Sequence, residues 1–151
     1  MTEDKKSQYE LLCQQVRSLA KGESNRIGLL ANVTALLRMT FGERFFWVGF
    51  YLVDDDELKL GPFQGDIACM HIRRGRGVCG TAWEQDKTLV VPDVEQFPGH
   101  IACSQLSQSE IVVPLHDANG KVTGVLDIDS KELDAFDEDD RQGLEPICRE
   151  I

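Results

Sequence analysis

Basic charge is scarce in this 151-residue chain: 16 lysines and arginines stand against 26 aspartates and glutamates, for a formal net charge of -10. Neutralising phosphates takes a surplus of clustered lysine and arginine, so nucleic acid is excluded as a partner. No apolar stretch approaches the length of a bilayer span, and the opening MTEDKKSQYE has no segment resembling a secretion signal. The expectation is therefore a cytoplasmic protein with no membrane role. Low-complexity tracts and internal repeats are also missing. What remains, 42% hydrophobic and 28% charged residues, is the composition of one domain spanning 1–151, large enough to bury a core without disulfides or a structural metal.

CxxC pairs are absent as well, and the five cysteines are an odd number for a disulfide scaffold. In a reducing compartment such cysteines point to reactive, metal-binding or simply buried thiols. The one basic cluster, Arg73, Arg74 and Arg76, lies among glycines, where it either cradles an anion or forms a solvated loop.

What is present has a readable order. Tyr9, Leu12, Val16 and Leu19 fall on one helix face that ends at Lys21-Gly22. Ile27, Leu30, Ala31, Thr34 and Leu37 repeat the pattern behind Ser24 and Asn25, either of which can cap a second helix. From Arg44 to Val53 an aromatic and β-branched run predicts a central strand, with Asp54 to Asp56 as a turn into a short strand around Leu58 to Leu60. The Asp run lacks the further ligand spacing of a calcium loop. Gly61 to Gly77 reads as a long irregular stretch holding Cys69, followed by a short helix, Val78 to Gln85, with Cys79 in its first turn. A brief strand, Thr88 to Val91, precedes a second irregular segment, Asp93 to Gln108, which carries Cys103. Strands at Ser109 to Leu115 and Val122 to Asp129 flank a hairpin turn, and Asp137 to Arg149 predicts a closing helix that Pro146 threatens to break or kink. The plan is α+β: a central, largely antiparallel sheet with N-terminal and C-terminal helices and two loops covering one face.

Chemistry is most concentrated on those loops. Cys69 and Cys103 sit on them and Cys79 at a helix start, where a thiol is biased toward the reactive thiolate; Cys13 and Cys148 fall inside the terminal helices and read as small hydrophobes. One thiolate that attacks and a second that captures the resulting sulfenic acid would make a redox cycle needing no cofactor. Zinc is the competing reading, since Cys69-x-His71 and His100-x-x-Cys103 supply four ligands, although neither pair has the usual form. Glu110 opens one predicted strand, while Asp127 and Asp129 end another on a common face. Acids crowded in a half-buried pocket repel one another, so at least one should be kept protonated beside carboxylates that can hold an ammonium group; a solvated strand end is the plainer alternative. Trp47 and Trp83 read as core residues, and an aromatic wall would also suit a thioether-derived methyl group.

The run GRGVCGTAWEQDKTLVVPDVEQFPGHIACSQLSQSEIVVPL, with GVLDIDS after it, resembles the GAF-domain free methionine-(R)-sulfoxide reductases. The resemblance extends from FFWVGFYL to FDEDD, and the spacing Cys69-x9-Cys79-x23-Cys103 fits it. It implies a GAF-like fold and thiol-dependent reduction of free L-methionine-(R)-sulfoxide without a cofactor or metal. By the same resemblance Cys103 is the nucleophile and Cys69 the resolving thiol, with Cys79 a third member that positions substrate, relays the disulfide or attacks in its own right. Trp47 would contact the substrate methyl, and Glu110, Asp127 and Asp129 would receive its sulfoxide and amino groups. A thioredoxin-type reductant and a homodimer are the implied partners. The contrasting expectation is a ligand-binding GAF sensor without turnover; such modules are usually attached to output domains, for which the chain has no spare length.

Overall fold

The hydrophobic pattern closes on a sheet with two very different faces. The structure, a computed structural model, describes residues 3–101 and 103–151. Its elements run α1 (Glu3–Ala20), α2 (Arg26–Phe41), a 3-10 turn (Gly42–Arg44), β1 (Trp47–Asp54), β2 (Glu57–Gln64), β3 (His71–Arg73), α3 (Gly77–Gln85), β4 (Leu89–Val91), a second 3-10 turn (Val94–Gln96), β5 (Ser109–His116), β6 (Val122–Ser130) and α4 (Glu138–Arg149). The strands form one antiparallel sheet in the order β3-β2-β1-β6-β5-β4. This is the expected α+β architecture with helices at both ends of the chain.

Strand alternation sorts the side chains. Val48, Phe50, Ile111, Val113, Leu126 and Ile128 point to the face covered by α1, α2 and α4, in a core completed by Tyr9, Leu30 and Leu144. The opposite face carries Trp47, Tyr51, Val112 and Val125 against α3 and the two long loops. On that second face a group of buried acids, Glu110 and Asp127 among them, interrupts the apolar lining.

Local chemistry sets the helix ends. Asn25 accepts a hydrogen bond from the Gly28 amide at 2.9 Å to cap α2, and Gly42, at φ +59°, stops it where a side chain would be strained. Asp137 and Asp140 form a reciprocal capping box at α4. Asp140 is fully buried and also accepts from Tyr9 Oη at 2.6 Å, Lys5 Nζ at 2.7 Å and Arg44 Nη1 at 3.2 Å. The Arg44 guanidinium in turn lies 5.0 Å from the ring centres of both Phe41 and Phe45. One carboxylate thus ties together α1, α4 and the turn that feeds β1.

Four expectations need correction. The first strand begins at Trp47 because Gly42–Arg44 is a 3-10 turn. The second strand does not stop at Leu60: Gly61 and Pro62 together oppose Phe50 in a bulge, which accommodates a proline, and pairing resumes at Phe63 and Gln64. Part of the stretch taken as irregular is therefore β2, and another part is β3. Leu19 and Ile27 are 38% and 62% exposed rather than buried, since the apolar stripe of the 18-residue α1 outruns its 12-residue partner α4 and Ile27 occupies the solvent side of the first turn of α2. Pro146 does not end α4, which continues to Arg149 with Ile147 and Cys148 buried behind it. Packing of that last turn outweighs the one hydrogen bond that proline removes.

Candidate functional site

Register brings the three acids together. In the β5–β6 pairing Glu110 lies opposite Asp129 and Val112 opposite Asp127; in the β1–β6 pairing Asp129 lies opposite Trp47 and Asp127 opposite Gly49. All share the second face, because residues two apart on a strand point the same way. Gly49 is required here: a Cβ would lie 2.5 Å from Trp47 Cη2 and 2.4 Å from Phe63 Cβ. Its absence lets the indole lie across β1, stacked on Phe63 at 5.2 Å and on Tyr51 at 6.0 Å.

The aromatic wall also fastens the loop above it. Trp47 Nε1 donates to the Asp66 carbonyl and Tyr51 Oη to the Cys69 carbonyl, each at 2.9 Å. Cys69 is joined to Cys103 by a disulfide, with 5.4 Å between their Cα atoms, so the two irregular loops are stitched together over the acids. Beneath them is a cavity of about 50 Å³ lined by Trp47, Tyr51, Cys79, Cys103 and the three carboxylates.

The acids are in an environment that favours their neutral forms. Glu110 and Asp127 are each 6% exposed, and Asp129 is partly buried. Burial pushes the Glu110 carboxyl well up from its ordinary value, and the charges of Asp127 and Asp129 push it further. Asp129 is raised for the same two reasons, burial first and Asp127 second, and Asp127 is raised by burial. Ser107 Oγ donates to Asp129 at 3.1 Å. Crowded acids of this kind titrate as a unit rather than one by one.

Cys79 joins this cluster from α3. Its thiol is buried and faces Glu110 Oε2 at 3.9 Å. The thiolate bias expected from its helix-start position is reversed: burial and the charges of Asp127 and Glu110 hold the thiol well above its ordinary range. Cys148 is also buried and raised by burial, while Cys13 is partly buried in α1.

The other sequence candidates disperse. His71 bonds Glu57 at 2.8 Å, and Cys69 and Cys103 are bonded to each other, so the imagined ligand set of two cysteines and two histidines does not form. Arg74 stacks on Trp83 at 5.2 Å, and Trp83 is a core residue away from the cavity; Arg76 does reach the cavity lining. Tyr51, Phe46 and Ser107 line the cavity and went unnoticed as site residues in the sequence. Tyr51 had a usable signal, since it is four residues beyond Trp47 on one strand and so shares its face.

A family model of the GAF domain matches residues 25–151. GAF domain-containing protein A of Dictyostelium discoideum is 61% identical over 146 residues, covering 96% of this chain and 90% of that protein. The free methionine-R-sulfoxide reductase of Escherichia coli is 46% identical over 143 residues, covering 95% of this chain and 86% of its own. The chain belongs to the GAF-domain free methionine-R-sulfoxide reductases. Among solved structures, the Neisseria meningitidis member of this family, determined in complex with its substrate, superposes with a TM-score of 0.92 at 49% identity, covering 99% of this chain and 89% of that one. Likeness on that scale covers the sheet, the helices and both loops of the reductase fold. No helix among the described residues is long and apolar enough to cross a membrane.

Proposed function

We propose that this protein reduces free L-methionine-(R)-sulfoxide to L-methionine by thiol chemistry, with Cys103 as nucleophile and Cys69 as resolving thiol. The observation that carries the reading is the Cys69–Cys103 disulfide closed over three carboxyl groups held toward their protonated forms. Sulfoxide oxygen leaves only once protonated. In the reduced enzyme the Cys103 thiolate attacks the substrate sulfur while a carboxylic acid of the cluster delivers a proton to the oxygen. Attack joins Cys103 to the substrate sulfur as the sulfur–oxygen bond breaks and the oxygen leaves as hydroxide; hydroxide then adds to the Cys103 sulfur and breaks that sulfur–sulfur bond, so methionine departs with two electrons gained and Cys103 is left as sulfenic acid. Attack by the Cys69 thiol on that sulfur expels water and forms the disulfide seen here.

The remaining groups divide the task of recognition. Trp47 and Tyr51 form the wall for the methyl group, and whichever carboxylates of Glu110, Asp127 and Asp129 are ionised receive the ammonium group. A peptide-linked methionine lacks that charge, which makes a free amino acid the natural substrate. Cys79, buried and neutral beside Glu110, positions the acids rather than attacking. Cys103 must be a free thiolate to attack, so reduction of the disulfide must precede turnover.

A cytoplasmic dithiol protein of the thioredoxin kind is the proposed reductant, and residues 1–151 act as a single domain. Exposed Leu11 on α1, with Ile27 and Met39 on the neighbouring α2, supports a homodimer through the N-terminal helices. The test is NADPH oxidation by the purified protein with thioredoxin and its reductase. Consumption with the (R) epimer but not the (S) epimer, abolished in Cys103→Ser, is the expected result. No turnover by fully reduced protein would leave a ligand-binding GAF module instead.

A further inference from the structure

The sulfur and oxygen atoms gathered under the disulfide have a second chemical use. One thiol and two carboxylate oxygens, from Cys79, Glu110 and Asp127, lie within 4.8 Å of one another, and all three residues are buried. Cys79 and Glu110 are 3.9 Å apart at their nearest sulfur and oxygen. Tetrahedral zinc holds sulfur at about 2.3 Å and carboxylate oxygen at about 2.0–2.2 Å, which places its ligand atoms roughly 3.3–3.7 Å apart. The cluster is thus wider than a zinc site, and the three side chains must draw together to hold the ion.

An independent observation points into the same space. Asp127 Oδ1 is buried on a residue only 6% exposed, belongs to the cavity lining, and has no hydrogen-bond partner among the described residues. A carboxylate oxygen buried there is costly unless a proton shared with a neighbouring acid or a cation occupies the space before it. The disulfide leaves this arrangement intact, because Cys79 takes no part in it.

We infer that Cys79, Glu110 and Asp127 form an inhibitory site for a thiophilic divalent cation, of which zinc is the best match. The donor set is one soft sulfur with two hard oxygens, a combination that suits zinc better than magnesium or calcium, which take oxygen alone. Binding forms a metal–sulfur bond and releases the thiol proton to solvent. The fourth position faces the cavity, and the cation takes up the same carboxylates that would hold the substrate ammonium, so metal and amino acid exclude each other. This last consequence rests on the proposed reductase reading; the metal site itself does not.

The experiment separates the two. Protein in its disulfide form, which removes Cys69 and Cys103 as competing thiols, is titrated with Zn²⁺ against a chromogenic chelator and with Co²⁺ as a spectroscopic probe. One equivalent of zinc and a sulfur-to-cobalt charge-transfer absorption are expected. Outer-shell substitutions alone cost metal sites about 10–100-fold in affinity, so losing a ligand in Cys79→Ser or Asp127→Asn should weaken binding by about 100-fold or more. Cys79→Ser should also abolish the charge-transfer band, while Cys13→Ser, in α1, should change neither; thermal melts confirm that each variant is folded. Zinc affinity unchanged in Cys79→Ser, or cobalt bound without the band, would overturn the site. In the turnover assay zinc should then raise KM for the sulfoxide without lowering kcat. Stoichiometric zinc binding in a protein without turnover would sink the reductase reading and leave the metal site standing.

Discussion

Glu110 is the residue on which the electrostatic argument can be read most directly. Its folded carboxyl is raised above the unfolded value, so below the ordinary value of about 4.3 both states are protonated and no charge has to be buried. As pH rises through that value the unfolded chain ionises first, and stability falls until the folded group ionises as well. Glu110→Gln removes this slope. Chemical denaturation of both proteins from pH 4 to pH 8 should show the variant gaining on the parent as pH increases, and a constant difference would mean that Glu110 is already ionised in the fold. For turnover the same change should lower kcat by about 10²–10⁴-fold if Glu110 is the proton donor, the usual range for general acid catalysis. Asp127→Asn and Asp129→Asn provide the comparison, and whichever of the three loses most kcat with least effect on KM is the acid.

At the scale of elements, Asp140 holds the helical layer in place. It accepts from groups on α1 and from the turn before β1 while capping its own helix. Removing one partner of a buried ionic network strands the rest, at a cost of about 3–5 kcal/mol. Asp140→Ala should therefore lose stability of that order in urea titrations, and a loss under 1 kcal/mol would show the network to be dispensable. Gly143 tests the same joint by shape. A Cβ there would lie 2.2 Å from Tyr9 Cγ, in a ring that neighbours on both sides hold still. Gly143→Ala should cost about 1–3 kcal/mol through overpacking, despite alanine's better helix propensity.

Across the whole molecule the Cys69–Cys103 bond closes 34 residues of chain into a loop. Chain-entropy estimates for a loop of that length give the disulfide about 4 kcal/mol of stabilisation at most. Reduction should lower the unfolding free energy by up to this amount, and hydrogen exchange should quicken in 65–70 and 97–108 while β1 and β6 keep their protection. Uniform quickening across the sheet would contradict a role confined to the two loops. The stability lost is the counterpart of function: loops that must admit an amino acid and then release it cannot be held closed in both redox states.

Much of this was legible in the chain. Period-two alternation put Asp127 and Asp129 on one face of β6, while the family resemblance grouped them with Trp47 and Glu110 and singled out the cysteine pair that the structure joins. Those features are local, or repeat at intervals that backbone geometry sets, so they survive in one dimension. Other features depend on which segments meet. The bulge at Gly61 and Pro62 that lengthens β2, the exposure of Leu19, the persistence of α4 through Pro146, and the Tyr51 hydroxyl on the Cys69 carbonyl come from packing between distant residues. The state of Cys79 is the clearest case: a helix start predicts an activated thiol, yet burial against acids from two strands makes it a neutral one. Sequence alone determined which residue types share a face, because pleat and helix periods are properties of the backbone. Only the tertiary structure decided how close they come and how dry they are, because distance and burial belong to the folded assembly of segments far apart in the chain.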